Sequence, residues 1–248
     1  GLDKQAFQIT VAAFYRGGAL DDEFSAVPHI NVVFLEKQHA LDVRFLRRLG
    51  RLLRHGSFDI VQSYNISARL LGILYAKRFG VPYTIATERT AQPLAGGFGS
   101  RVYFQLERLA MRRADYVIAN SEVGRNFVLT HGVRKDKSRV VYNGIDKQRL
   151  EVTQPRDAVL CELRLNPKAF RVGMAARVDG VKDPLTFLNA ASLASNHDPS
   201  IQFLLVGDGP LLAGLKDTAK QHGISNIHFL GRRSDVANIL NILDVFVL

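Results

Sequence analysis

Hydrophobic positions along the chain follow two rhythms. Short runs rich in β-branched and aromatic residues predict strands over 7–13, 30–34, 59–63, 83–87, 115–119, 139–142, 171–175, 201–206, 227–230 and 244–248. Between them, apolar residues recur every three or four places and predict helices over 41–55, 66–79, 99–113, 121–130, 184–196, 210–222 and 234–242. Helix starts are marked by Asp183 before Pro184, Gly209 before Pro210 and Ser234 before Asp235. Stops are marked by Gly80-Val81-Pro82 and His222-Gly223. Strands that alternate with helices, with few hairpin signals, imply an α/β fold of parallel sheets covered by helices on both faces.

The strands fall into two sets. Residues 150–169, with Pro155, Pro167 and many polar positions, read as a connector or surface excursion. Two Rossmann-like, doubly wound domains are therefore expected, 1–150 and 151–248, with the boundary near 145–165. The final Asp244-Val245-Phe246-Val247-Leu248 reads as a buried strand that stops without a turn. With Gly1 first and Met111 and Met174 the only methionines, the expectation is a chain cut short at both ends.

Composition narrows the class. Of the 248 residues, 47% are hydrophobic and 23% charged, as in globular proteins, and no apolar run approaches the roughly 20 residues of a membrane span. Cys161 is alone, which points to a reducing, cytoplasmic setting and no internal disulfide. No histidine pairs with a cysteine or another histidine at ligand spacing, and no two aspartates stand two apart, so no metal site is expected. The net charge of +10 is uneven: residues 1–150 hold 23 Lys and Arg against 13 Asp and Glu, whereas 151–248 hold 10 of each. The two halves therefore face different partners.

In doubly wound sheets, ligands bind beyond the carboxyl ends of strands, where helix N-termini offer unpaired N–H groups. The run Val172-Gly173-Met174-Ala175-Ala176-Arg177-Val178-Asp179-Gly180-Val181-Lys182-Asp183-Pro184 places an arginine just after a strand and a lysine just before a capped helix. A planar guanidinium and a point-charge ammonium there suit a diphosphate, although solvated loop charges are the plainer reading. A second strand leads into Val206-Gly207-Asp208-Gly209-Pro210, where two glycines allow close backbone approach, to a ligand or merely to a packed helix. A third leads into Phe229-Leu230-Gly231-Arg232-Arg233, either a base-binding turn or a tight strand–helix turn.

Taken together, these turns and the terminal D-V-F-V-L resemble the donor domain of family 4 glycosyltransferases, which have the two-domain GT-B fold. Ala119-Asn120-Ser121-Glu122 and Val140-Val141-Tyr142-Asn143-Gly144-Ile145-Asp146 look like the end of that family's acceptor domain. The resemblance implies that Arg177 and Lys182 hold the donor diphosphate and stabilise it as leaving group. It implies that Gly207, Asp208 and Gly209 shape the donor pocket floor, that Gly231 and Arg232 meet the base, and that Asn143 lies near the domain interface. It also implies retention of anomeric configuration without metal or cofactor. Three departures stand out. The family's opening strand and glycine-rich turn are missing, as is its E-x7-E segment. A histidine common after the fourth strand is replaced by Thr87-Glu88-Arg89-Thr90, where Glu88 and Arg89 are candidates for substrate contact, Glu88 equally for a rim position.

The basic half has its own signature. Helix 41–55 sets Leu41, Phe45, Leu49, Leu52 and Leu53 on one face and Arg44, Arg47, Arg48, Arg51 and Arg54 largely on the other, with no acid between Asp42 and Asp59. A solvated face usually mixes signs, so an anionic membrane carrying a lipid-linked acceptor is the expected partner, an ordinary basic surface the alternative. Nucleic acid is set aside, because no recognition motif or interleaved aromatics accompany the charge. The expected function is transfer of a hexose or N-acetylhexosamine from a nucleoside-diphosphate sugar, UDP-linked by preference, to a lipid-linked or cell-envelope saccharide. An inactive nucleotide-sugar-binding fragment and a sugar-nucleotide epimerase remain open.

Overall fold

A computed structural model of the protein describes residues 3, 5–18, 21–39, 42–89 and 98–248, the side chains of residues 23 and 98–101 excepted. Leu41 and Thr90, singled out in the sequence, lie outside the described residues. The chain folds as two units, Gly1–Asn143 and Gly144–Leu248.

The first unit runs β1 (Ile9–Ala13), α1 (Asp21–Ser25), β2 (Ile30–Phe34), α2 (Val43–His55), β3 (Ile60–Tyr64), α3 (Ile66–Arg78), β4 (Tyr83–Glu88), α4 (Phe98–Arg113), β5 (Tyr116–Ala119), α5 (Glu122–Thr130) and β6 (Ser138–Val140). The single sheet expected here is two among the described residues: β1 pairs with β2, and β3, β4, β5 and β6 form a second sheet in that order, all parallel. Helices α3, α4 and α5 cover the second sheet through Leu70, Ile73, Ala110, Met111 and Val128, packed against Ala86 and Val117. Helix α2 covers the first with Phe45, Leu49 and Leu53 against Leu35. Complete burial of a side chain such as Phe45 contributes about 1.5–3 kcal/mol. Asp42 starts α2: its carboxylate accepts the N–H groups of Phe45 and Gln38, both at 3.0 Å, and those bonds hold its pKa below the ordinary value. Helix α1 was not expected from periodicity. It rests on Asp21, whose carboxylate accepts the N–H groups of Gly17 and Gly18 at 2.6 and 3.1 Å.

The second unit runs α6 (Arg156–Glu162), β7 (Arg171–Ala175), α7 (Pro184–His197), β8 (Gln202–Val206), α8 (Leu212–Gln221), β9 (Ile227–Gly231), α9 (Val236–Ile242) and β10 (Val245–Val247). Its parallel sheet has the order β10-β7-β8-β9. Successive residues of β8 point to opposite faces, and each face has its own core. Phe203 and Leu205 join Phe187, Leu188 and Ala191 of α7 and Leu215 and Ala219 of α8. Leu204 and Val206 join Val159 and Leu160 of α6 and Ile239 and Ile242 of α9. Both faces are covered, which is why β8 reads as an unbroken apolar run.

Three expectations need correction. Residues 150–169 are not simply a connector: α6 forms there, and Val159, Leu160 and Leu165 belong to the core of the second unit. The preceding segment is also tied to this unit, because the buried Asn238 side chain accepts the N–H groups of Thr153 and Gln154 at 2.8 and 3.2 Å. The division at Asn143/Gly144 accordingly precedes the expected 150/151 boundary. Among the described residues the terminal strand is not buried: β10 pairs with β7 alone, and its residues are 38–47% exposed. Finally, α8 and α9 begin after Leu211 and Asp235, two places later than Pro210 and Ser234 suggest.

Candidate functional site

In the second unit the chain passes from β7 to β8 to β9 and then returns to lay β10 on the other side of β7. The strand order reverses at β7, and in open parallel sheets such a reversal leaves a crevice at the carboxyl ends. Residues 176–183, which carry Arg177 and Lys182, leave the sheet at that point.

One carboxylate organises this loop. Asp179 accepts the N–H groups of Val181 and Lys182 through Oδ1, at 3.1 and 3.3 Å, and its Oδ2 lies 3.2 Å from Nε of Arg177. The Arg177 side chain is 73% exposed, and the Lys182 ammonium forms no ion pair among the described residues. Asp183 then caps α7 from a left-handed conformation (φ 45°), its Oδ2 accepting the Thr186 hydroxyl at 2.7 Å, with Pro184 in the first turn. Lys182 therefore stands just before the start of a helix, where partial positive charge collects, and Arg177 lies on the same loop.

The glycines of the β8 exit act on this loop through their backbone. A Cβ at Gly207 would lie 1.9 Å from the Ala176 carbonyl oxygen, and one at Gly209 would lie 2.3 Å from that of Val178. That close approach is knitted by main-chain bonds: Ala176 N–H to Val206, Val178 N–H to Asp208, and Leu211 N–H to Val178, at 3.0, 3.0 and 3.2 Å. The Asp208 carboxylate accepts the Gly209 N–H at 2.7 Å. The β9 exit joins them, Gly207 N–H donating to Gly231 at 2.8 Å, with Gly231 left-handed at φ 66°. Arg232 is exposed. Its neighbour Arg233 is bidentate to Asp235, with both bonds 2.7 Å, and reaches Glu162 at 2.9 Å. Those bonds raise the Arg233 pKa and hold Asp235 below the ordinary carboxylate value.

In the first unit, Glu88 shares the inward face of β4 with Thr84 and Ala86 and is 1% exposed. Expected at a substrate or on the rim, it is instead interior, with Oε2 at 2.7 Å from Nη1 of Arg69. Arg69, on α3, also donates to the Thr87 carbonyl at 2.9 Å and through Nε to Glu107 of α4 at 2.5 Å. All three charged side chains are buried. Desolvation pushes the Glu107 pKa upward against the pull of Arg69. Beside this cluster, at the carboxyl ends of β3 and β4, lies a concavity of about 300 Å³ lined by Asn65, Ser67, Arg69, Thr87, Arg89 and Tyr103, with Ile66. Arg89 is exposed there. Asn143 is exposed at the end of the unit, and its side chain makes no hydrogen bond among the described residues.

Helix α2 presents Arg44, Arg47, Arg51 and Arg54 to solvent. Arg48 departs from the expected basic face. Its Nη1 donates to the Leu35 carbonyl and to Glu36, both at 3.0 Å, tying the helix to the end of β2. Among the described residues, no group of three His, Cys, Asp or Glu is placed to hold a metal, and no helix is long and apolar enough to cross a membrane.

Residues 1–149 match Glycosyltransferase Family 4, and residues 158–248 match Glycosyl transferases group 1. The chain belongs to glycosyltransferase family 4. It is 28% identical over 222 residues to the Escherichia coli UDP-Gal:alpha-D-GlcNAc-diphosphoundecaprenol alpha-1,3-galactosyltransferase, covering 84% of this chain and 56% of that protein. It is 27% identical over 204 residues to the D-inositol 3-phosphate glycosyltransferase of Streptomyces scabiei, covering 75% and 43%. The chain thus spans about half the length of the curated relatives it matches. Among solved structures, Anabaena HepE in complex with UDP-glucose superposes with a TM-score of 0.78 at 20% identity, covering 96% of this chain and 65% of HepE. Sucrose-phosphate synthase of Thermosynechococcus elongatus superposes at 0.74 with 15% identity, covering 96% and 64%. These likenesses place this family 4 glycosyltransferase in the GT-B fold class. Sequence reasoning missed Arg69, Glu107 and the organising part of Asp179. Asp179 alone had a local signal, an aspartate two and three places before the N–H groups it accepts.

Proposed function

We propose that this glycosyltransferase moves a hexose or N-acetylhexosamine from a nucleoside-diphosphate sugar, UDP-linked by preference, to a saccharide acceptor of the cell envelope that carries phosphate. The observation that carries the proposal is the placement of Arg177 and Lys182 on one loop at the reversal of strand order, beside the start of α7. Breaking the bond from the anomeric carbon to the diphosphate leaves the electron pair, and its negative charge, on the departing oxygen. A guanidinium, an ammonium and a helix N-terminus fixed near that charge lower the barrier as an oxyanion hole does. Retention of anomeric configuration and independence from metal are part of the proposal by family likeness.

The names of the relatives support the choice of partners. One uses UDP-Gal and a diphosphoundecaprenol-linked acceptor, and another acts on D-inositol 3-phosphate. HepE was crystallised with UDP-glucose. The exposed arginines of α2 add an anionic membrane as the surface on which a lipid-linked acceptor is met.

A thermal-shift screen of the chain against UDP-, GDP- and ADP-sugars tests the donor. A ligand at a hundred times its dissociation constant stabilises by about 2.7 kcal/mol. The expected result is a shift with one UDP-sugar, lost in Arg177→Ala and Lys182→Ala. In the active protein each change lowers turnover by about a hundredfold. Full turnover in both variants overturns the assignment.

A further inference from the structure

The concavity at the ends of β3 and β4 has a chemistry that its own fold leaves unused. The polar ends of Asn65, Ser67, Arg89 and Tyr103 form no hydrogen bond or ion pair among the described residues, yet all four border the same space of about 300 Å³. Four hydrogen-bonding groups brought together without partners suit a polar ligand rather than an apolar one.

The charge of the site selects the ligand's sign. Both nearby carboxylates are turned inward: Glu88 is 1% exposed and Glu107 is fully buried, each held by Arg69. Arg89, by contrast, is exposed and unpaired among the described residues. A ligand therefore meets a guanidinium, a hydroxyl, a phenol and an amide, with no carboxylate lining the wall among the described residues. That set matches the tetrahedral oxygens of a phosphate group, which a planar guanidinium grips with two parallel bonds.

The backbone agrees. Asn65 has φ 65° and ψ 159°, a region that essentially only glycine visits. Asn65 ends β3 and starts α3, and its side chain does not cap that helix. A costly conformation retained without a capping bond, at a concave site, is where binding residues collect.

We infer that this concavity binds a phosphate ester, the phosphoryl group of the acceptor, with Arg89 as its cation and Ser67 and Tyr103 as neutral donors. The inference rests on the proposed transfer to a phosphate-bearing acceptor and assigns that phosphate a place. The ester belongs either to a soluble sugar phosphate or to a lipid phosphate, and the two share the recognising chemistry.

Titration calorimetry on the whole chain separates the possibilities. The probes are inorganic phosphate, glucose 1-phosphate and farnesyl phosphate, with UDP-glucose titrated in parallel. Saturable binding of a phosphate ester is expected, weakened about tenfold in Arg89→Ala, a few-fold in Ser67→Ala, and largely kept in Arg89→Lys and Arg177→Ala. Tighter binding of glucose 1-phosphate or of farnesyl phosphate names the source. Phosphate esters that bind with equal affinity to wild type and Arg89→Ala, or that depend on Arg177 instead, overturn the inference, as does an absence of binding to wild type. If UDP-glucose still binds in that event, the donor reading stands without this one. If UDP-glucose fails while Arg89-dependent phosphate binding remains, the donor reading falls alone.

Discussion

The guanidinium of Arg177 rests 3.2 Å from the Asp179 carboxylate, whose second oxygen holds the backbone N–H groups of Val181 and Lys182. A single anion thus shapes the loop and occupies the cation that the proposed donor needs. Asparagine keeps the acceptor oxygen and removes the charge. An exposed pair of this kind is worth about 0.2–1 kcal/mol, so Asp179→Asn should tighten UDP binding by about 1.4- to fivefold. Asp179→Ala also loses the turn and should weaken it. Titration of UDP into the three proteins checks this, and equal affinities would show that the carboxylate has no hold on Arg177.

Gly207 and Gly180 make a matched pair. A Cβ at Gly207 meets a carbonyl oxygen at 1.9 Å, whereas one at Gly180 meets nothing within 4 Å. Gly207→Ala should cost about 2 kcal/mol or more in urea unfolding and should weaken nucleotide binding with it. Gly180→Ala, in the Arg177 loop itself, should stay within about 0.5 kcal/mol of wild type. Similar losses in both would mean that close approach at Gly207 is not what matters.

The buried group of Arg69, Glu88 and Glu107 predicts an asymmetry. Arg69→Met removes the cation shared by the two buried carboxylates and should cost about 3–5 kcal/mol. Glu107→Gln keeps the shape and removes the group that burial makes reluctant to ionise. Because the folded-state pKa of Glu107 lies above its ordinary 4.5, the folded protein holds a proton that the unfolded chain has lost. Wild-type stability therefore falls as pH rises above about 4.5 toward the folded pKa, and Glu107→Gln is spared that part of the fall. Urea titrations of both proteins between pH 4.5 and 8 measure it. Two curves that stay parallel would refute a raised pKa, whereas a gap that widens in favour of Gln supports it.

Arg44, Arg47 and Arg51 are exposed on α2, whereas Arg48 is engaged with Leu35 and Glu36. Each basic residue near an anionic leaflet contributes about 1 kcal/mol. Changing the first three to Glu should lower partitioning onto phosphatidylserine vesicles by about a hundredfold or more. Arg48→Ala should act mainly on stability. Flotation that is indifferent to the triple change would remove the membrane from the proposal.

Much of the fold was legible because β7, β8 and β9 are apolar runs that end in glycine, arginine or a capped helix. Such signals are local, and so were the positions of Arg177, Lys182, Gly207 and Gly231. Helix α6 escaped notice because the inward-facing Val159, Leu160, Leu163 and Leu165 are interspersed with charged residues in a short stretch between two prolines. The cluster at Arg69 escaped for another reason. Its partners stand 19 and 38 places away in the chain, and a lone Arg or Glu on a helix reads as surface until the sheet register brings them together. Glu88 was misread on that account: its place on the inward face follows from the alternation along β4, not from the charge of its side chain.

The seam between the β7, β8 and β9 exits consists of main-chain bonds, from Ala176 to Val206, Val178 to Asp208 and Gly207 to Gly231. Such a seam is indifferent to most side chains, so the three segments can drift in sequence while keeping their mutual spacing. The same property makes them a single graft. A chimera that imports one of these exits from a relative, to change which nucleotide is taken, inherits a misfitted ledge unless the other two travel with it.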